Sequence, residues 1–395
     1  MKHAVFLVPG FFGFSTLGNI NYFSHVEQAL KRRFEAANHE LDVFAVPTLP
    51  TASIRKRARI LARIIQESQP QRFGRIHILG HSTGGLDGRL LVSPGVSLGP
   101  EEDQVGKVVN TLVTLATPNY GTPIAGFFTN LAGKHMLLAT SLVMILSMKG
   151  VGRTGYTWAG RALSYLTRLD DVLGLDNTLL DYLTEHLLSD LSRERQEEIT
   201  RFMHNIAEDQ GALLQVSAEG MDIFNAAVVD NPDVQYLSYV TGAPRPSALV
   251  YLKGLRDPYF APSYSLFQVL YRLTGRASAI YPYPPFPKQF AKRAQDVWGF
   301  VPGKRDNDGV VPTCSQVWGE LAGMVAGDHL DVCGHFFHKD LVESHTDWLR
   351  SGAGFGLDVF DALYDNIAQR LMGESPDDHR VPGTAFLEPG GAGGR

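Results

Sequence analysis

Cysteine is nearly absent: the 395-residue chain has two, Cys314 and Cys333. That excludes a disulfide-stapled scaffold and leaves one bridge at most. There is no long basic run, and the net charge of −5 argues against nucleic acid as a partner. No apolar stretch is long enough to span a bilayer. The most apolar segment, 135–148, is too short and carries His135, Thr140, Ser141 and Ser147. The start, Met1-Lys2-His3-Ala4-Val5-Phe6-Leu7-Val8-Pro9-Gly10, has only a short apolar run cut by Pro-Gly, so it reads as a first strand and not as a signal peptide. A soluble, cytoplasmic protein is the expectation, with export by another route left open. No internal repeat is present. What remains is an ordinary globular composition, 44% hydrophobic and 19% charged, ample for a large core.

The chain is organised around Ile76-His77-Ile78-Leu79-Gly80-His81-Ser82-Thr83-Gly84-Gly85. Two β-favouring isoleucines lead into Gly-x-Ser-x-Gly, and Leu86, Leu90 and Leu91 follow at helical spacing. The pattern predicts a strand, a sharp turn and a helix, with Ser82 at the tip. A nucleophile on such an elbow needs almost no side chain at the flanking positions, so that helix and neighbouring strand can close in. It also sits at a helix N-terminus, where backbone N–H groups can hold an oxyanion. The pentapeptide alone is a weak signal, with roughly 0.2 chance matches expected in a chain this rich in glycine. The flanking strand and helix are what give it weight against a plain serine in a glycine turn.

In chain order, the spacing predicts a strand over 3–8, a glycine-punctuated loop over 9–14, and a helix near 22–35 with Val26, Ala29, Leu30 and Phe34 on one face. A strand over 41–46 and a helix over 53–67 (Ile54, Ala58, Leu61, Ile65) follow, then the elbow strand 75–80 with its helix, and a strand over 108–115. This alternation predicts an α/β protein with a mostly parallel sheet and helices on both faces. Ligands of such sheets sit at the carboxyl ends of the strands. Residues 1–120 read as the first part of the core. Residues 121–230 read as a helical insertion (125–148, 158–169, 176–191, 192–208), either a lid that meets lipid or a plain structural cap. The core resumes over 231–372 with a strand at 234–240. The Pro- and aromatic-rich segment 245–300 reads as a loop excursion, and 373–395 as a disordered tail.

A serine nucleophile needs a base, and the base an orienting acid, in the chain order Ser, acid, His. Asp308, in Asp306-Asn307-Asp308-Gly309, and His329, in Gly327-Asp328-His329-Leu330-Asp331, are the choices. Asp306 and Asp328 compete as acids, His335 and His338 as bases. His77 and His81 read as structural, because a side chain adjacent to the nucleophile points away from it. The oxyanion donors are the backbone N–H groups of Thr83 and Phe11.

These residues carry a resemblance. The chain resembles the bacterial true lipases of the Pseudomonas and Burkholderia type, in the α/β-hydrolase superfamily. That family's His-Gly-x-x-Gly-Phe stands here as Pro9-Gly10-Phe11-Phe12-Gly13-Phe14, followed by Tyr22-Phe23. Its elbow matches Gly80 to Gly85, and its Gly-x-Pro-x-x-Gly-Ser stands as Thr117-Pro118-Asn119-Tyr120-Gly121-Thr122. Its post-lid segment is similar to Val216–Asn225, its acid motif to Asn307-Asp308-Gly309-Val310-Val311, and its His-Leu-Asp to His329-Leu330-Asp331. The resemblance implies an α/β-hydrolase fold with a large helical lid or cap, and Ser82, Asp308 and His329 as the triad. It also implies a structural calcium near the histidine loop through Asp331, with no cofactor required for the chemistry. The bland reading of Asp331 is a loop aspartate bonding to backbone. Asp257-Pro258 resembles the family's upstream calcium ligand but lies farther from Asp308 than the family spacing allows without an insertion. Pro9 departs from the family's histidine. Cys314 sits where the family has a disulfide, but its usual partner has no cysteine here, and Cys333 can replace it only if the two loops approach closely.

The function implied is a serine carboxylic-ester hydrolase, lipase-like, acting on acylglycerols or other hydrophobic acyl esters, with lipid contact through the lid. The alternatives are the same triad working as a thioesterase, acyltransferase or polyester depolymerase, and a non-catalytic lipid-binding or folding partner on the same scaffold. The intact Ser, Asp and His argue against the last.

Overall fold

The computed structural model describes residues 1–11, 16–17, 20–129, 193, 197, 211–254, 260–278, 281–338, 347, 349–374 and 381–387. Seven strands form the main sheet: β1 (Lys2–Val8), β2 (Glu40–Ala45), β3 (Arg75–His81), β4 (Thr111–Leu115), β5 (Gln235–Gly242), β6 (Glu320–Ala326) and β7 (Thr384–Phe386). Their order is β2-β1-β3-β4-β5-β6-β7, parallel throughout except for the β6–β7 pair.

Strand alternation divides the core into two layers. Val5, Leu7, Leu79, Val113, Leu115, Leu237 and Tyr239 face helix α1 (Val26–Ala36) and the Leu357–Met372 helix. Ala4, Phe6, Val8, Ile76, Ile78 and Leu112 face helix α2 (Ile54–Glu67) and helix α3 (Thr83–Val92). The α1 face expected from sequence is buried, and so is the α2 face, which α2 begins behind a Ser53 cap that accepts from the Lys56 N–H. The strand expected from 108 begins at Thr111. A short helix, Pro100–Gly106, and a turn at Lys107 and Val108 occupy the approach.

Two sequence expectations are corrected. The 245–300 segment is not a loop excursion: it holds the helices Ala248–Gly254, Phe260–Ser278 and Ala291–Trp298. Prolines and aromatics mark it as irregular, but the prolines concentrate at 282–287. Before them, Phe260, Tyr264, Phe267 and Tyr271 recur at helical spacing and pack together. The tail is not disordered throughout 373–395. Thr384–Phe386 pairs antiparallel with β6, Phe386 packs against the core and Leu387 is buried. Of the glycines that suggested disorder, Gly383 precedes the strand at φ 85°, and Gly390, Gly391, Gly393 and Gly394 lie outside the described residues. Most of the 121–230 insertion also lies outside them, including the expected lid helices. Within it the structure describes the helices Ile124–Thr129, Gly211–Gln215 and Ala218–Ala227. Among the described residues no helix is long and apolar enough to cross a membrane.

A parallel sheet covered by helices on both faces, with a strand–serine–helix elbow at its centre, is an α/β-hydrolase fold. The strand ends that it brings together are those of β1, β3, β4, β5 and β6.

Candidate active site

Ser82 terminates β3 and caps α3 with φ 53° and ψ −129°, a conformation that costs a non-glycine residue energy. The elbow is held there from both sides. The Ser82 N–H donates to the Leu115 carbonyl of β4 at 2.9 Å. A Cβ at Gly80 would come within 2.5 Å of the Gly84 backbone, and one at Gly84 would run into the Val8 carbonyl of β1, so the helix closes on both strands only because both residues are glycine. At the tip, the Ser82 side chain lies against the loop that leaves β1: a Cβ on Gly10 would stand 3.0 Å from the Ser82 Oγ.

That loop is fixed by two buried side chains. Arg57, on α2, is fully buried and donates to the Pro9 carbonyl (2.5 Å), the Gly10 carbonyl (3.3 Å) and the Leu49 carbonyl (2.8 Å). Asp87, also fully buried, neutralises it at 2.8 Å, although burial still raises the Asp87 carboxyl to about 6. Because a trans peptide sets its N–H opposite its C=O, the hold on the Gly10 carbonyl turns the Phe11 N–H away from Arg57. The Gly10 N–H donates to the Tyr22 hydroxyl at 3.0 Å. The Tyr22 hydroxyl in turn bonds the His81 Nδ1 at 2.7 Å, and the His81 Nε2–H donates to the His329 carbonyl at 2.8 Å. A single relay therefore ties the first loop, the elbow and the histidine loop together. His81 is structural in this sense, and burial beside His329 keeps its ring well below the usual imidazole range.

Asp308 lies in a tight turn after a bridge between Asn307 and Pro312, with Gly309 at φ 101°. Its Oδ2 accepts from the His329 Nδ1 at 2.9 Å. This leaves the His329 Nε2 as the basic nitrogen. The Asp308 Oδ1 accepts from the N–H groups of Val310 (2.9 Å) and Val311 (2.7 Å), and the His329 N–H donates to the Asp308 carbonyl at 3.0 Å. The His81 and His329 rings are 4.6 Å apart, which sets the histidine over the residue next to Ser82. The 260–278 helix lies beneath the acid turn: the Tyr271 carbonyl accepts from Asn307 Nδ2, and the Thr274 hydroxyl donates to the Gly309 carbonyl.

The competing residues have other partners. Asp306 accepts from Arg245 and from the Gly303 N–H. Asp328 accepts from the Leu330 N–H, and the His335 Nε2 meets the Tyr22 carbonyl. Among the histidines weighed, His329 is the one on the Asp308 carboxylate. Cys314 and Cys333 are both free and buried.

Asp331 belongs to a cluster. Its carboxylate and those of Asp328 and Asp347 offer oxygens that all lie within 4.8 Å of one another. Burial and mutual repulsion push Asp328 and Asp331 well above the usual carboxylate range. An all-oxygen set of three carboxylates suits a hard cation such as calcium. Asp257 lies outside the described residues.

Sequence reasoning missed Arg57, and its signal was present. Residues 54, 57, 58, 61, 62 and 65 of α2 share one buried face, so an arginine fell on the apolar side of the helix. It also missed Thr241 and Gln316, which touch Asp308 from other elements.

No protein-family model matches this chain, and no curated protein matches it. Among solved structures it is similar to lipase 1 from Pelosinus fermentans, at 16% identity and a TM-score of 0.49, over 93% of this chain and 98% of that one. It is also similar to Staphylococcus hyicus lipase, at 17% identity and a TM-score of 0.47, over 94% and 95%. A third likeness is to a metagenomic carboxyl esterase, at 15% identity and a TM-score of 0.47, over 94% of this chain and 75% of that one.

Proposed function

We propose that the protein is a serine carboxylic-ester hydrolase, lipase-like, that cleaves hydrophobic acyl esters through an acyl-enzyme on Ser82. The observation that carries this reading is the bonded pair of Asp308 and His329 standing over a strained serine elbow. In the mechanism, the Ser82 Oγ attacks the ester carbonyl while its proton passes to the His329 Nε2. The carbonyl oxygen takes the negative charge of the tetrahedral intermediate and is held by the Thr83 and Phe11 N–H groups. Asp308 steadies the imidazolium through Nδ1. As the intermediate collapses, the ester C–O bond breaks and the alcohol leaves with the proton from Nε2. Water then attacks the acyl-enzyme, gives its proton to the same nitrogen, and the acid departs as Ser82 regains its hydrogen. Asp328, Asp331 and Asp347 would hold a structural calcium, which supplies charge balance behind the histidine loop. Sequence resemblance is what supports a lipase-like substrate range.

The test is hydrolysis of p-nitrophenyl esters from acetyl to palmitoyl by wild type and by Ser82→Ala. Long-chain preference with Ser82→Ala reduced by roughly 10⁶-fold in kcat supports the reading. Activity on short chains alone narrows it to an esterase. Equal inactivity of both proteins on every chain overturns ester hydrolysis and favours acyl transfer or a carrier role.

A further inference from the structure

Asp308 is met by more than a histidine. The Thr241 hydroxyl, at the end of β5, donates to its Oδ2 at 2.7 Å. The Gln316 Nε2, from the turn after the acid loop, donates to the same oxygen at 3.1 Å. All three side chains are buried, with Gln316 1% exposed and the other two fully covered. With His329, Val310 and Val311, five donors converge on one carboxylate, three of them on the oxygen that faces the imidazole.

The orientation of Gln316 is dictated by its neighbours. The Thr241 N–H points at one end of the amide, at 2.7 Å, and a backbone N–H can only donate. That end is therefore the oxygen, and the NH2 end must face Asp308. The same NH2 also reaches the carbonyls of Thr241 (3.2 Å) and Val311 (3.3 Å). The Thr241 hydroxyl lies 3.1 Å from the Gln316 Oε1 as well, but its one proton goes to the nearer, charged acceptor. Gln316 is anchored in turn. Its carbonyl accepts from Asn119 Nδ2 at 2.9 Å, and the Asn119 Oδ1 accepts from the buried Arg89 of α3 at 3.2 Å. The acid is thus braced from β5, from its own loop and, through Asn119, from the helix that begins at Ser82.

The Val310 and Val311 N–H groups hold Oδ1, but without Thr241 and Gln316 the Oδ2 would be met by His329 alone. Donors on both oxygens, from groups that cannot themselves turn, leave one arrangement. We propose that Thr241 and Gln316 are positioning residues for the reaction, which lock the Asp308 carboxylate so that Oδ2 faces the His329 Nδ1. Their role rests on the ester-hydrolase reading for its rate consequence, and on geometry alone for its structural one.

Thr241→Val keeps shape and loses the hydroxyl; Thr241→Ser keeps the hydroxyl and loses a methyl. Activity is read on a p-nitrophenyl ester, and the far-downfield proton resonance of the His329–Asp308 hydrogen bond is read by NMR without substrate. Thr241→Val lowers kcat on the order of tenfold with KM unchanged and weakens or shifts that resonance, while Thr241→Ser restores both to within about threefold of wild type. Gln316→Met, of similar length, has the same direction of effect and stands in if Thr241→Val does not fold. Wild-type kcat and an unmoved resonance in Thr241→Val and Gln316→Met overturn the proposal. So does a loss that Thr241→Ser fails to restore, since that assigns the effect to packing, and so does a change in KM with kcat intact. If wild type hydrolyses no ester but the resonance responds as stated, the positioning role holds and the ester-hydrolase reading is what fails.

Discussion

Buried imidazoles occupy both ends of the sheet, and what faces them differs. At the carboxyl end, the His329 Nδ1 meets the Asp308 carboxylate at 2.9 Å. At the opposite end, the His3 Nδ1 meets the His77 Nε2 at 3.1 Å, and the His3 Nε2 meets the His39 Nδ1 at 3.0 Å. The second group is imidazole against imidazole, with Arg75 and the N-terminus adding positive charge. Burial and these neighbours depress His3 to about 4 and hold His77 well below the usual range. Each bond in that chain shares one proton. The His77 Nδ1 has no partner among the described residues, so the arrangement in which His77 donates to His3 and His3 to His39 leaves only a bare lone pair buried, not an N–H. A further proton on His3 would need both neighbours to accept, forcing a proton onto that unpartnered His77 nitrogen. The same side chain thus has a counter-charge on its ring nitrogen where a carboxylate faces it, and only other imidazoles where its own kind does. The acids behind His329 repeat part of the pattern with the sign reversed: Asp328, Asp331 and Asp347 face one another, with Arg350 paired to Asp347 at 3.4 Å.

The largest effect comes from making the carboxyl end resemble the base. Asp308→Asn keeps the shape and removes the charge, and its NH2 group can no longer accept from Nδ1. The imidazolium of the transition state loses its counter-charge, and the imidazole loses its tautomer. A fall of roughly 10⁴-fold in kcat is expected, with the circular dichroism spectrum unchanged. A fall of less than tenfold would mean that the carboxylate is not what separates the two ends.

A smaller effect is expected at the acidic cluster, where Arg350 pairs with Asp347 but Asp328 and Asp331 face like charge. Calcium at about a hundredfold over its Kd should stabilise the protein by about 2.7 kcal/mol, read as a rise in Tm that a chelator reverses. Asp331→Asn should abolish the calcium-dependent part of that rise. Identical melting of wild type with calcium and with chelator would show that the cluster needs no cation, and would leave protonation as the way its repulsion is relieved.

How far the sequence reveals these arrangements depends on how local they are. The elbow was legible because glycine, serine and glycine must be neighbours in the chain, and the Asp308 turn because Asn-Asp-Gly is a turn by itself. The covered faces of α1 and α2 were legible from periodicity alone. Thr241 and Gln316 were not. Thr241 lies 67 residues before Asp308 and meets it because the acid loop bonds the end of β5, through the Ala243 N–H on the Asn307 carbonyl and the Thr313 hydroxyl on the Thr241 carbonyl. Gln316 is near in sequence but turns back onto Asp308 only through the fold of that loop. The strand at 384–386 was missed for the same reason, since three residues become a strand only when β6 offers an edge. The 260–278 helix was a different failure. Its aromatic periodicity is present in the sequence, but the proline cluster that follows it gives the whole segment an irregular composition. Arg57 was hidden by a rule that usually works, that arginine marks the solvent side of a helix.

The smallest effect tests the base of the sheet directly. His3 has a folded-state pKa of about 4 against 6.5 for a free imidazole. Between those values the unfolded chain binds the proton and the folded chain does not, so stability rises with pH across that window and falls as the solution is acidified through it. His77 and His81 are shifted in the same direction, and both add to the loss below 6.5. His3→Gln removes one titrating group while leaving an amide able to donate and accept. Urea unfolding of the two proteins at pH 7 and at pH 5 should therefore show a smaller acid-induced loss in the variant, by up to one proton in the slope. Equal losses would assign the acid sensitivity to the other depressed histidines, His25, His77 and His81, and would mean that the imidazole chain accepts a proton at His3 more easily than its neighbours suggest.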